Sequence, residues 1–127
     1  MMRRLVVSLM LLTACGGDGV APPTPGTLSL RLTTPGASDG ALVVVVSGGA
    51  VTAVHPASGL EAVRQSDGAG THIMLVGNVT AGVVATIDVP DISRATAYVA
   101  VVEQVADRTT FALLDTAAYR IDVVQAP

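Results

Sequence analysis

The sequence predicts an all-β body, a single antiparallel β-sandwich of about 7–9 short strands over residues 27–127, after a signal peptide and a tether. Three observations carry this. Apolar residues alternate with polar ones or run in short Val-rich blocks. Gly, Pro, Asp and Ser clusters interrupt them about every 8–12 residues, and no stretch shows the apolar spacing of an amphipathic helix.

The first strand runs from Thr27 to Thr34, where Leu28, Leu30 and Leu32 share one face and Ser29 and Arg31 the other. Pro35 to Gly40 is a loop. Ala41 to Ser47 holds Leu42 and four consecutive valines, a run that suits a strand central in a sheet or covered on both faces. Gly48-Gly49 breaks it, and Val51 to Val54 makes a short strand stopped by Pro56. Glu61 to Gln65 is too short to separate helix from strand. Ser66 to Gly70 is a turn, Thr71 to Val76 a strand, Gly77 to Gly82 a loop and Val83 to Val89 a further strand. Asp91 is placed to cap one helical turn through Ala97. Thr96 to Val105 returns to alternation, with Val99, Val101 and Glu103 opposite Tyr98, Val102 and Gln104; Thr109 to Leu114 and Tyr119 to Val124 complete the strands.

The segment before this body reads differently. Arg3 and Arg4 precede an apolar stretch, Leu5 to Leu12, broken only by Ser8: the order of an export signal. As a helix the stretch spans about 12 Å against a bilayer core of roughly 30 Å, too short to cross. It ends in Leu12-Thr13-Ala14-Cys15, which resembles the lipobox of bacterial lipoproteins. That resemblance implies cleavage between Ala14 and Cys15, a diacylglycerol on the Cys15 sulfur, and attachment to a membrane through that lipid. In related Gram-negative proteins Asp after the cysteine favours inner-membrane retention, so Gly16 implies a cell-envelope protein of the outer membrane if the source has one. Residues 1–14 are then the signal peptide, and residues 15–26 a lipidated cysteine and a Gly/Pro-rich tether reaching at most roughly 35–40 Å. Cys15 is the only cysteine, so no disulfide supports the body.

Without Arg3 and Arg4, five arginines oppose ten acidic residues, and lysine is absent. An acidic surface of this kind disfavours nucleic acid and anionic lipid as partners. Tyr98, Phe111 and Tyr119 are the only aromatic residues, which disfavours carbohydrate, since sugar faces stack on rings.

Two segments, Gly40-Ala41-Leu42-Val43-Val44-Val45-Val46-Ser47-Gly48 and Ala81-Gly82-Val83-Val84-Ala85-Thr86-Ile87-Asp88-Val89, resemble strands of cohesin-like and related carbohydrate-binding-type β-sandwiches. The resemblance covers roughly residues 27–106. It implies a sandwich fold and an extracytoplasmic adhesion or scaffold setting, and it implies no ligand.

Candidate chemistry is sparse. His55 and His72 are the only histidines, and a zinc site needs three or four ligands while Cys15 is committed to lipid; both read as surface residues at strand ends. No serine sits in a strand-to-helix Gly-x-Ser-x-Gly elbow, and ten acids place some carboxylate pair on any surface. Asp39 and Asp67 offer loop oxygens to Ca²⁺, but Asp and Gly are equally the residues that build turns. Asp107 to Thr110 reads as a solvated turn. The expectation is a non-catalytic interaction or structural module with no metal and no cofactor, and with an envelope protein as partner. The alternatives are a small-ligand-binding lipoprotein of an export or envelope assembly system, and a small hydrolase. Apolar residues clustered on one exposed sheet face favour the module; a deep pocket holding His55 or His72 beside a carboxylate favours the binder or enzyme. Replacing Cys15 by Ala is expected to block lipidation and move the protein out of the membrane fraction, read by fractionation and gel mobility; an unchanged distribution refutes the lipobox.

Overall fold

Leucines at every second position of one strand need a facing apolar layer, and the valines of the next strand supply it. The structure, a computed structural model, describes residues 22–36 and 39–126. Leu28, Leu30 and Leu32 of β1 (Gly26–Thr33) point inward, towards Leu42, Val44 and Val46 of β2 (Asp39–Ser47), and all six are essentially sealed from solvent. The chain continues through β3 (Ala53–Pro56), β4 (Leu60–Asp67), β5 (Gly70–Val79), β6 (Gly82–Val89), β7 (Val99–Asp107) and β8 (Arg120–Gln125), with short 3₁₀ helices at Ile92–Ala97 and Thr116–Ala118. The strands form two antiparallel sheets, ordered β3-β6-β1-β8 and β4-β5-β2-β7. Their inner faces bury Ile87, Val89 and Ile121 from the first sheet with Ile73, Leu75, Val79, Val102 and Val105 from the second. The expected all-β sandwich is therefore the architecture. The expected signal and lipidation residues, Ala14 and Cys15 among them, lie outside the described residues.

The ends of several elements differ from the sequence reading, each for a local reason. Glu61–Gln65, which the pattern left open, is the centre of edge strand β4, held by a hairpin to β5 across Gly68-Ala69. Gly77 does not end β5. It takes a φ of 139°, and a Cβ there would lie 2.4 Å from the Gly59 carbonyl oxygen, so glycine lets the strand pass a neighbouring backbone and continue to buried Val79. Pro56 closes β3 from within, as an edge strand with one neighbour allows. The expected strand Thr109–Leu114 is a turn and loop, joined to the sheet by one bridge, Ala106 to Leu113. Its residues leave strand geometry at Phe111, whose φ is +61°. Asp91 caps as expected, its Oδ1 accepting from the Ser93 N–H at 3.1 Å.

A bulge explains the one break in the β7 alternation. Val43 pairs with Gln104 but Val44 pairs with Val102, so Glu103 is an extra residue and the inward phase switches from even to odd positions. Val102 and Val105 both point inward, and Gln104 faces solvent instead of joining Tyr98 and Val102. Two buried polar ties close the sandwich without a disulfide. The Tyr98 hydroxyl donates to the Ala50 carbonyl at 2.7 Å, and fully buried Asp39 accepts from Thr34 Oγ1 at 2.7 Å and from the Tyr119 hydroxyl at 2.9 Å.

Truncating Leu30 to Ala is expected to destabilise the protein by about 2–5 kcal/mol. Val63 to Ala, at a side chain mostly in solvent, is expected to change stability by no more than about 0.5 kcal/mol. Urea unfolding of the purified chain separates the two; equal midpoints would contradict the assigned inner and outer faces.

Candidate functional site

The two histidines do not converge. His55 stands on the first sheet with Nε2 3.0 Å from Asp88 Oδ2, and Thr27 Oγ1 donates to the other oxygen of Asp88 at 3.2 Å. The His55 ring, ahead of the Thr27 hydroxyl, holds the Asp88 carboxyl below the usual carboxylate range. The carboxylate lies between the two side chains, so the Thr27 hydroxyl is bonded to Asp88 and not to the His55 ring. His72 stands on the second sheet with Nε2 3.1 Å from Asp67 Oδ2, though off the hydrogen-bond direction, and Nδ1 3.6 Å from Glu103 Oε1. Each ring nitrogen faces a different carboxylate, so the three groups do not share a point where one cation would sit. Among the described residues no group of three or more His, Cys, Asp or Glu side chains is arranged to hold a metal.

The other acidic candidates serve the fold. Asp39 opens β2, and its oxygens are taken by Thr34 and Tyr119 inside the protein. Asp67 Oδ1 accepts the Ala69 N–H at 2.7 Å, a turn-building bond that pulls its carboxyl below the usual range. Tyr98 and Tyr119 are tied inward through their hydroxyls, and burial raises both phenols above their ordinary value. Of the three aromatic side chains only Phe111 projects into solvent.

Shallow hollows mark the surface. One of about 520 Å³ lies over Gly26, Thr52, Asp88 and Pro90, and one of about 530 Å³ over Pro23, Gly49, Arg94 and Tyr98. Neither contains His55 or His72. A smaller, almost wholly apolar hollow of about 250 Å³ lies at the other end of the molecule, between Ala41, Val76, Ala106 and Phe111.

That hollow is one end of a larger feature, the outer face of the second sheet. The register sets its rows: Glu61, Val76, Ala41 and Ala106; then Val63, Met74, Val43 and Gln104; then Gln65, His72, Val45 and Val101. Val63 is 65% exposed and Val101 58%, with Met74, Val76 and Val99 close to half. Four strands about 4.8 Å apart and about eight residues long make a face of roughly 500 Å², exposed and apolar at Val63, Met74, Val76, Val99 and Val101 and polar at Glu61, Gln65 and Gln104. The sequence pattern that produces it is the valine run: Val44 and Val46 enter the core, while Val43 and Val45 go to the outer face. The run suits a strand covered on both faces, and the described fold covers one.

Phe111 and Leu113 extend this face, 80% and 69% exposed. The Phe111 N–H donates to the Asp107 carbonyl at 2.9 Å and the Asp107 N–H to the Ala112 carbonyl at 2.9 Å, which fixes a tight turn with Phe111 in the left-handed region. A bulky residue there costs roughly 1–2 kcal/mol, and residues held so cluster at functional sites. Sequence alternation assigned the segment to a strand, because a positive φ at a phenylalanine leaves no mark in the residue pattern.

Phe111→Gly is expected to raise stability by about 1 kcal/mol, since glycine accepts this φ and little buried area is lost. Phe111→Ala is expected to bring no such gain. Thermal unfolding of both variants checks this, and a destabilised glycine variant would show that Phe111 is a packing residue. Comparison of the chain with known proteins finds no family model, no characterised protein and no solved structure that matches it.

Proposed function

We propose that this chain is a lipid-anchored protein of the bacterial cell envelope whose β-sandwich is a non-catalytic interaction module, acting through the outer face of β4-β5-β2-β7. One observation carries the reading: an apolar sheet face, extended by an exposed and strained aromatic, on a molecule whose two histidine–carboxylate pairs lie on different sheets, with neither histidine lining a described hollow. An enzyme of this size needs converging acid, base and substrate pocket, and these are spread over two sheets.

The direction of the chain supports a protein partner over the bilayer. Pro23 lies beside Gly48, Gly49 and Tyr98, at the end of the sandwich where β2 finishes. Phe111 lies beside Gly40 and Ala41, where β2 begins, nine residues or about 30 Å away. With Cys15 acylated, the tether joins the sandwich at the Pro23 end, opposite Phe111. The acidic balance of the body acts in the same sense, since it repels anionic headgroups.

Affinity capture from detergent-solubilised envelope, using the full lipidated chain as bait, tests the module. The wild type is expected to retain one partner in near-stoichiometric amount, and Val101→Asp to lose it by about tenfold or more. Equal recovery by both would remove this face from the function.

A further inference from the structure

We propose that Met74 is a reversible oxidation site, where a peroxide turns the centre of the β4-β5-β2-β7 face from apolar to polar and so releases the partner held there. The release rests on the module reading above; the oxidation itself follows from composition and fold.

Composition singles out this residue first. Of four methionines, Met1, Met2 and Met10 belong to the signal peptide of the proposed lipoprotein, so the processed chain keeps Met74 alone. Trp is absent, and Cys15, the only cysteine, has its sulfur alkylated by the lipid in that reading. The side chain that a peroxide oxidises most readily in the described body is therefore one thioether. The fold then opens it. β5 turns Thr71, Ile73 and Leu75 to the core and Met74 and Val76 to the outer face, where Met74 is 45% exposed while Ile73 and Leu75 are sealed. Its row neighbours are Val63 of β4 and Val43 of β2. With Val43, Gln104 and Leu113 it borders a hollow of about 110 Å³, room enough for a molecule of water or peroxide size. The reagent meets the side chain without any opening of the sheet.

Two reactants balance the step. A lone pair of the thioether sulfur attacks one oxygen of hydrogen peroxide, an S–O bond forms and the O–O bond breaks, and the departing oxygen leaves as water with both peroxide protons. Sulfur is oxidised by two electrons and the peroxide is reduced by two. The sulfoxide keeps the length of the methionine side chain and adds a strong hydrogen-bond acceptor, and a thiol-dependent methionine sulfoxide reductase returns it to the thioether. On the open face water satisfies the new acceptor, so the folded body is undisturbed. Beneath a partner it sits between Val63 and Val43, whose side chains carry no donor, and an acceptor buried without a partner weakens the contact. One oxygen atom at the middle row thus acts on binding and leaves folding alone.

Hydrogen peroxide treatment of the purified full-length chain, reconstituted in phosphatidylcholine vesicles and followed by peptide mass spectrometry, tests the site without any partner. The peptide holding Met74 is expected to gain one oxygen at a rate within about tenfold of that in the urea-unfolded chain, and a slower rate overturns the site. Binding of an apolar-surface dye, measured above protein-free vesicles, is expected to fall about twofold or more on oxidation, with the thermal midpoint unchanged, and to return after reductase treatment. Met74→Leu, close in volume and inert to peroxide, is expected to keep the dye through the same treatment, and Met74→Gln to bind less dye without it. An equal loss in Met74→Leu, or no loss in the fully oxidised wild type, overturns the proposal. Capture from solubilised envelope then separates the two readings. Oxidised wild type is expected to lose the partner by about tenfold while oxidised Met74→Leu retains it. If Val101→Asp loses the partner but oxidised wild type does not, the oxidation switch falls and the module stands. If neither change affects capture, both fall.

Discussion

The phase of side-chain alternation in β1 and β2 is the constraint on which the rest of this molecule depends. Leu28, Leu30 and Leu32 on one sheet and Leu42, Val44 and Val46 on the other are all sealed from water, and they hold two sheets together without a disulfide among the described strands. A slip of one residue in either strand would send the whole set outward, so the register of every neighbouring strand follows from these six positions. Bulges at Val84 in β6 and Glu103 in β7 adjust those neighbours to that register, and a further bulge at Gly40 lies within β2 itself.

The same alternation produces the surface feature on which the proposed function rests. A strand made of four consecutive valines cannot place them all inside a two-layer sandwich, and those rejected by the core become the centre of the opposite face. β5 adds Met74 and Val76 and β7 adds Val99 and Val101 on that side. The face of the other sheet is more polar: Arg31, Thr86, Asp88 and Asp122 stand among two exposed valines, Val83 and Val124. The apolar side chains of the β4-β5-β2-β7 face are clustered, whereas ordinary exposed hydrophobics are scattered, and the proposed interaction module rests on that clustering.

The residues with the most chemical character in the sequence serve structural ends. Asp39 is a buried acceptor for two hydroxyls, Asp67 and Asp91 shape turns, Tyr98 and Tyr119 tie loops to strands, and the two histidines pair with carboxylates on different sheets. Phe111 carries the opposite lesson. It has no polar atom and no motif around it, yet it stands exposed in a backbone conformation that phenylalanine avoids.

The sequence by itself determined the sandwich, its strand-rich order, the cap at Asp91 and the valine strand at the middle of a sheet, because period-two alternation and turn chemistry are local properties of the chain. It left β4 open, ended β5 at Gly77 and drew a strand through Phe111, because edge pairing, a close backbone approach and a positive φ depend on neighbours distant in the chain. Which valines face the core was also beyond it. An unbroken apolar run carries no phase, and only the packing of β2 against β1 decided that Val43 and Val45 would face outward.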